Sequence, residues 1–349
     1  MAGRCKARSV IAALTAAGMT VSWTCDDDPE GRGITLNGQG NYSPIQAAVN
    51  DAKQGDVIFL PDGRYGEKTD ARDVADLTFV GESNDGTIIE RGVDGGSGFV
   101  AKNLGFEHGG LYGVVSVSAY GCHFTDTGVE ANIAWILEGN VFACGSGGAA
   151  RKKGGGFSRL GYNDILGCGV TAVTAYFGIS EVVANRINDT DGLAIDYWVD
   201  GGGLGLVEDN EFRNNGGGAL AGGHPMRYSG PGDLGGGTIG SRGRNIFVGN
   251  GIPVIHGVTG SYPVKTFAKF NYWGTTNPAE IAAMVRDCSD TPYLGCIDTS
   301  EPLAEEPLVP RGADAWPGRR ALDEEVAALK AASLAAGGGI TLFTRDEAP

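Results

Sequence analysis

A short phrase recurs along the chain: a polar residue, a variable one, then an aromatic or aliphatic residue, followed by polar positions and Gly. It reads Cys122-His123-Phe124, Asn140-Val141-Phe142, Asn163-Asp164-Ile165, Asn185-Arg186-Ile187, Asn210-Glu211-Phe212, Asn245-Ile246-Phe247 and Asn271-Tyr272-Trp273. The third positions step by 18, 23, 22, 25, 35 and 26 residues. Units built from helix pairs need more than about 30 residues. Short alternating runs punctuated by Gly and Asn at this period instead describe one coil of strands stacked on the next. The pattern predicts an all-β fold, a right-handed parallel β-helix. In such a stack each strand pairs with its equivalent one coil away, about 4.8 Å along the axis, so equivalent positions form ladders. The six Asn of the phrase are expected at a bend, where Asn tolerates left-handed backbone and the amides bond to one another.

The ends of the stack carry capping signals. Ser43-Pro44-Ile45-Gln46 reads as a capping box with Ser43 at the N-cap. Ile45, Ala48, Val49 and Ala52 then form one helical stripe that ends near Gly55, so a helix is expected to plug the N-terminal end. Val57 to Leu60 reads as the next strand and Pro61-Asp62-Gly63 as a turn. Asn277-Pro278-Ala279-Glu280 repeats the cap logic for a short helix through Arg286. The division expected is an export segment at 1–25, the β-helix at 26–300, and an acidic, Pro-rich linker plus amphipathic helix at 301–349. In that last part Leu322, Val326 and Leu329 mark the helix and Gly337-Gly338-Gly339 stops it. It reads either as a peripheral extension or as a linker, and Leu308-Val309-Pro310-Arg311-Gly312 resembles a protease site.

Composition sharpens this picture. Gly is 60 of 349 residues, against an ordinary share of ~7%, without the strict period of collagen. The 27 basic and 42 acidic residues give a formal charge of −15, which argues against a nucleic-acid partner and leaves room for bound cations. Arg4, Lys6 and Arg8 precede an apolar run from Val10 to Val21 that is too short to span a bilayer, the pattern of an export signal. No later stretch reads as a membrane span, so the expected location is secreted or cell-surface. Cys288 and Cys296 close an eight-residue step where a disulfide suits an oxidising compartment. Cys122, Cys144 and Cys168 follow the repeat and read as buried apolar thiols.

At Ile45-Gln46-Ala47-Ala48-Val49, Gly55-Asp56-Val57, Leu60-Pro61-Asp62-Gly63-Arg64-Tyr65 and Leu77-Thr78-Phe79-Val80-Gly81-Glu82 the chain resembles the first coil of secreted right-handed β-helix proteins. That superfamily is pectate-lyase-like and includes pectin methylesterases and polygalacturonases. Asn271-Tyr272-Trp273-Gly274 and the Cys288 to Cys296 segment resemble the end of bacterial members, so the resemblance spans about 34–300. It implies the fold; one fold hosts many sites. The methylesterase Gly-x-Tyr-x-Glu phrase is present at Gly63 to Glu67, but the catalytic motifs of that family have no counterpart. The polygalacturonase motifs are matched only in part, by Asp189-Thr190-Asp191-Gly192, Asp196 and Gly222-Gly223-His224-Pro225.

One interval departs from the repeat. The step of 35 between Phe212 and Phe247 places an inserted loop at Ala219 to Gly237, carrying His224, Arg227, Tyr228 and Asp233, and insertions on one face of a solenoid are where binding tends to reside. In the preceding coil a period of two puts Leu193, Ile195, Tyr197 and Val199 inside and Asp196, Trp198 and Asp200 outside. Counting eleven residues from each anchor aligns Lys153, Tyr176 and Trp198 as an outward stripe leading to His224. Exposed aromatics beside charge suit a sugar chain. The expected function is therefore engagement of a polysaccharide. In its enzymatic form this is a β-eliminating lyase of an acidic polysaccharide, with His224, Arg227 or Tyr228 as base and Asp191, Asp196 and Asp200 holding Ca²⁺. Asp196 and Asp200 lie about 13 Å apart on an extended strand, too far for a hydrolytic pair, whose separations are about 5 or 6.5 to 9.5 Å. The competing reading is a non-catalytic surface, adhesion or structural module.

Overall fold

The computed structural model describes residues 33–176, 178–197, 204–222, 232–256 and 265–336. Three long sheets of ten, nine and ten strands form the walls of a parallel β-solenoid. Each coil contributes one strand to each sheet: Ala134–Glu138 in the first, Val141–Ala143 in the second and Ala150–Lys152 in the third belong to one turn. The next turn adds Ser158–Gly161, Asp164–Leu166 and Val173–Ala175, each parallel to its predecessor. The all-β solenoid read from the period is thus present. An antiparallel hairpin, Ile34–Leu36 with Gln39–Tyr42, extends the first sheet at its N-terminal end by pairing on Val57–Leu60, which leaves a short four-residue strand as the edge.

The anchors of the repeat line the interior. Phe106, Phe124 and Phe142 stack with centroids 4.9 and 4.6 Å apart. Phe212, Phe247 and Trp273 continue the column at 5.4 and 4.9 Å. The corner between the first and second sheets holds the expected amide ladder. Asn140, Asn163, Asn185, Asn210, Asn245 and Asn271 are all fully buried. Each Oδ1 accepts from the backbone N–H of the preceding rung, and from Asn163 onward it accepts the preceding side-chain amide as well, at 2.9 to 3.0 Å. Cys122 starts the column by donating its backbone N–H to Asn140. One detail differs from expectation: the left-handed residue is the one before each Asn, namely Gly139, Tyr162, Ala184, Asp209, Arg244 and Phe270. The Asn keeps ordinary backbone, and its amide receives the N–H groups that the corner would otherwise strand. A second, shorter ladder of Thr190, Asn215 and Asn250 stands at the next corner.

The N-terminal plug is the helix α1, Ile45–Asp51, which buries Ile45, Ala48 and Val49. Ser43 does not cap it. The Glu67 carboxylate, from the next coil, accepts the N–H groups of Ile45 and Gln46 instead. At the far end α2, Pro278–Met284, is capped as expected by Asn277, whose Oδ1 accepts from Ala279 at 3.0 Å. It stops two residues early, because Val285–Arg286 joins the third sheet. The Cys288–Cys296 disulfide is formed. A second disulfide, Cys144–Cys168, replaces the pair of free thiols expected there; the 24-residue separation puts the two sulfurs on adjacent rungs. Cys122 remains a buried thiol, pushed up to about 12 by desolvation.

After Ser300 the chain runs back along the outside of the cylinder. Arg311, in the phrase that resembles a protease site, is buried, and its guanidinium donates to the carbonyls of Asp209, Arg244, Pro307 and Val309. Gly312 and Ala313 donate to Ala184 O and the Asp164 carboxylate. Trp316 lies over Gly139 and stacks on Tyr120. The helix α3, Arg319–Ala336, sets Leu322 and Val326 on Phe59 and Val80, the outward apolar residues of the first sheet. Ion pairs of Glu325 with Lys102 and Lys330 with Glu82 flank this contact.

Asn185→Ala is expected to cost about 3 kcal/mol or more, since it strands the Asn163 N–H groups and the Leu160 carbonyl in the core at ~1–3 kcal/mol each; urea denaturation would read this as a lowered midpoint. A trypsin-like protease is expected to leave the Arg311–Gly312 bond intact in the native protein and to cut it in Trp316→Ala, with the cleavage site read by mass spectrometry.

Candidate functional site

The outward positions of the third sheet form one residue per rung. In register they are Asp70, Asp94, Tyr112, Glu130, Arg151, Thr174 and Asp196. At about 4.8 Å per rung the part of this stripe from Asp94 to Thr174 runs along the axis as the floor of an open groove of about 660 Å³. The turns that enter the sheet form one wall, where Arg91, Gly110, Gly128, Gly148, Val170 and Thr171 face the groove. The absence of side chains at successive Gly keeps that wall low. The Cys144–Cys168 disulfide ties together the two turns that supply Gly148 and Val170.

The groove is a lattice of cations, carboxylates and tyrosines. Lys68 pairs with Asp94 at 2.9 Å and Lys153 with Glu130. The Lys153 ammonium stands 5.9 Å from the ring centre of Tyr112, whose hydroxyl accepts from Asn132 Nδ2 at 3.0 Å. Arg151 donates to the Tyr176 hydroxyl at 2.9 Å, its guanidinium 5.5 Å from the centre of that ring. Two aromatic faces three rungs apart are therefore each engaged by a basic side chain, a favourable use of the ring quadrupole. Among the described residues Arg91 and Arg151 have no carboxylate partner, so the groove carries positive charge not cancelled within it, in a protein whose formal charge is −15.

The structure places the residues read from the sequence as follows. Lys153 and Tyr176 do occupy equivalent positions on adjacent coils, just past Lys152 and Ala175, which are in register. Both belong to the groove neighbourhood. Asp196 faces outward one rung beyond Thr174. Asp191 is exposed in the turn before that strand, its N–H donated to Cys168 O. Among the described residues no three His, Cys, Asp or Glu side chains gather as metal ligands. Trp198, Asp200, His224, Arg227 and Tyr228 lie outside the described residues. Inside the strand, Ile195 and Tyr197 point inward, but Ala194 is buried where Leu193 had been expected.

The long interval is also arranged differently. Leu220–Gly222 simply continues the third sheet. Asp233 takes the next place in the first sheet by bridging Leu206 and Phe267. Eleven positions then separate Leu234 from Asn245, where three separate Val207 from Asn210. Most of the extra length is thus at the Asn corner. There Asp233 is buried and accepts the N–H groups of Gly235, Gly237, Ile239, Gly240 and Ser241, so it organises the loop from within.

Sequence reasoning missed Lys68, Arg91, Asp94, Tyr112 and Glu130, and it reads Arg151-Lys152-Lys153 as a solvated turn rather than a polyanion clamp. All five missed residues precede Asn140, the first Asn of the ladder, and four precede Cys122-His123-Phe124, the first phrase from which a coil can be counted. Lys152 is not solvated. This side chain points into the core with no carboxylate partner among the described residues, and its ammonium donates to Ser158 Oγ at 2.8 Å and Gly156 O at 3.3 Å. Desolvation lowers its pKa from 10.5 to about 8. No helix among the described residues is long and apolar enough to cross a membrane.

Comparison with family models, with curated proteins and with solved structures finds no match to this chain. The class defined here is therefore the parallel β-solenoid with an axial groove.

Because the Lys152 pKa is depressed on folding, between about 8 and 10.5 the unfolded chain holds a proton that the native protein does not. Stability is then expected to rise with pH across that window, the penalty of the buried charge being fully felt below it. Melting temperatures in low-salt buffer should show this rise in the native protein and lose it in Lys152→Met.

Proposed function

We propose that this chain is an exported β-helix protein, pectate-lyase-like in descent, that engages an acidic polysaccharide along the third-sheet groove. The observation that carries the reading is the pairing of Tyr112 with Lys153 and of Tyr176 with Arg151 on one open axial surface. Tyrosine faces and edges accommodate the apolar side of pyranose rings, while guanidinium and ammonium groups meet carboxylates or sulfates. An open groove with one floor residue per rung suits a linear chain better than a compact ligand. Two disulfides and the N-terminal apolar run are in keeping with an extracellular location.

In the enzymatic form of this reading the groove leads the chain to a β-eliminating centre beyond Thr174. There Asp191, Asp196 and Asp200 would hold Ca²⁺ against a uronate carboxylate, and His224, Arg227 or Tyr228 would take the proton beside it. The alternative, a non-catalytic surface or adhesion module, is favoured by one observation. The groove cations Lys68 and Lys153 are already tied to Asp94 and Glu130, an arrangement that holds a surface rigid rather than poised for proton transfer.

Binding and turnover separate the two. Pectate, alginate and glycosaminoglycans are to be tested for affinity and for the ultraviolet absorbance of unsaturated uronate products, with and without chelator. Arg151→Ala and Tyr112→Ala are each expected to weaken binding roughly tenfold, about 1.4 kcal/mol. Binding without absorbance change assigns the module, absorbance lost on chelation assigns the lyase, and unaltered affinity in both variants removes the groove from the function.

A further inference from the structure

The inward column of the third sheet runs Gly95, Gly113, Ala131, Lys152, Ala175 and Tyr197. Lys152 thus interrupts a run of small residues and lies fully buried between Ala131 and Ala175. At the corner where the third sheet meets the first, Trp135 is in register with Ser158, and the Ser158 N–H donates to Oγ of the half-buried Ser180 at 3.3 Å. Where Phe99 and Val117 crowd Gly95 and Gly113 in earlier coils, the small Ser158 leaves room that the lysine stem enters.

The polar groups assembled there do not balance. An ammonium carries three N–H donors, and the acceptors of Lys152 are two neutral oxygens, Ser158 Oγ and Gly156 O. Among the described residues no carboxylate pairs with it. One rung away, the Trp135 indole N–H is buried with no acceptor at all. Adjoining rungs therefore hold a positive charge without a counter-charge and N–H donors in excess of acceptors, whereas buried charges in proteins are paired and buried donors satisfied.

We propose that Lys152 and Trp135, beside Ser158, form an internal site for a small monovalent anion of halide size. A halide supplies the two things that are missing, a negative charge and an acceptor, and brings no hydrogens that would themselves need partners. Water supplies an acceptor but leaves the ammonium uncompensated. Two Lys152 N–H groups are held by Ser158 Oγ and Gly156 O and the Ser158 hydroxyl itself donates to Gly156 O at 3.4 Å, so the donors left, one ammonium N–H and the Trp135 N–H, are too few for a carboxylate or a phosphate. The turn through Gly154, Gly155 and Gly156, whose last carbonyl contacts the amine, closes over the site.

The test compares thermal melting of the full chain in sodium bromide and in sodium methanesulfonate at equal ionic strength. Bromide locates the site by anomalous scattering in crystals. A saturable rise in melting temperature with bromide alone is expected, with an anomalous peak in contact with Lys152 Nζ. Lys152→Met is expected to abolish the bromide response. Trp135→Phe keeps an aromatic ring and deletes only the N–H, and should weaken bromide binding about fivefold, the worth of one hydrogen bond; it serves if the Lys152 variant does not fold. Equal melting in the two salts, a water in place of the anomalous peak, or an undiminished response in Trp135→Phe would each overturn the proposal.

Discussion

Each coil from Cys122 onward turns its first corner over a buried side-chain amide, and that amide sets where the following coil is laid down. The Oδ1 of one Asn receives a backbone N–H from the rung before it, and its Nδ2 reaches a carbonyl of that same preceding rung, as Asn163 does to Leu137. A corner without such a group would leave backbone donors buried and unpaired. Because the amide spans neighbouring rungs, it also fixes their register, and a shift by one residue would turn the Phe and Ile anchors outward. The left-handed residue before each Asn is the geometric cost of the turn. It falls on types as poorly suited as Tyr162 and Phe270, so the ladder outweighs local preference there.

Register fixed at the corner is what gives the outer surface its order. With every strand of the third sheet held in step, outward side chains repeat at the rung spacing, and Asp94, Tyr112, Glu130 and Arg151 become neighbours although 57 residues of chain separate the first from the last. Inside, the same order aligns Lys152 with Ala131 and Ala175. One geometric rule therefore generates both the charged floor of the groove and the uncompensated amine beneath it.

The stack was legible in the sequence because a single residue type marks one position per coil. The N-terminal plug was legible from its apolar stripe, but its cap was not. Glu67 reaches Ile45 only after a full coil has been completed, and a local capping rule looks three residues ahead. Cys144 and Cys168 carried a usable signal, since a separation of one coil places two residues side by side. The length of the long coil was visible but its location was not, because spacing between anchors does not say which corner holds the surplus. The early half of the groove was hidden for a related reason: without an Asn to count from, Tyr112 and Asp94 could not be aligned with Tyr176. Docking of residues 301–336 depended on the outward Phe59 and Val80, which in sequence look like ordinary strand residues.

The returning C-terminal segment changes how load passes through the molecule. In an open stack each coil touches only its neighbours, and the last coil can peel off alone. Here the chain beyond the last coil is anchored by Arg311 midway and by Leu322 and Val326 on the first coils. Tension applied at the C-terminus is therefore delivered first to the opposite end of the cylinder, and the final coils stay shielded until α3 has detached. The strap makes a one-dimensional array behave as a loop, in which the weakest point under force is a surface helix rather than a terminal rung.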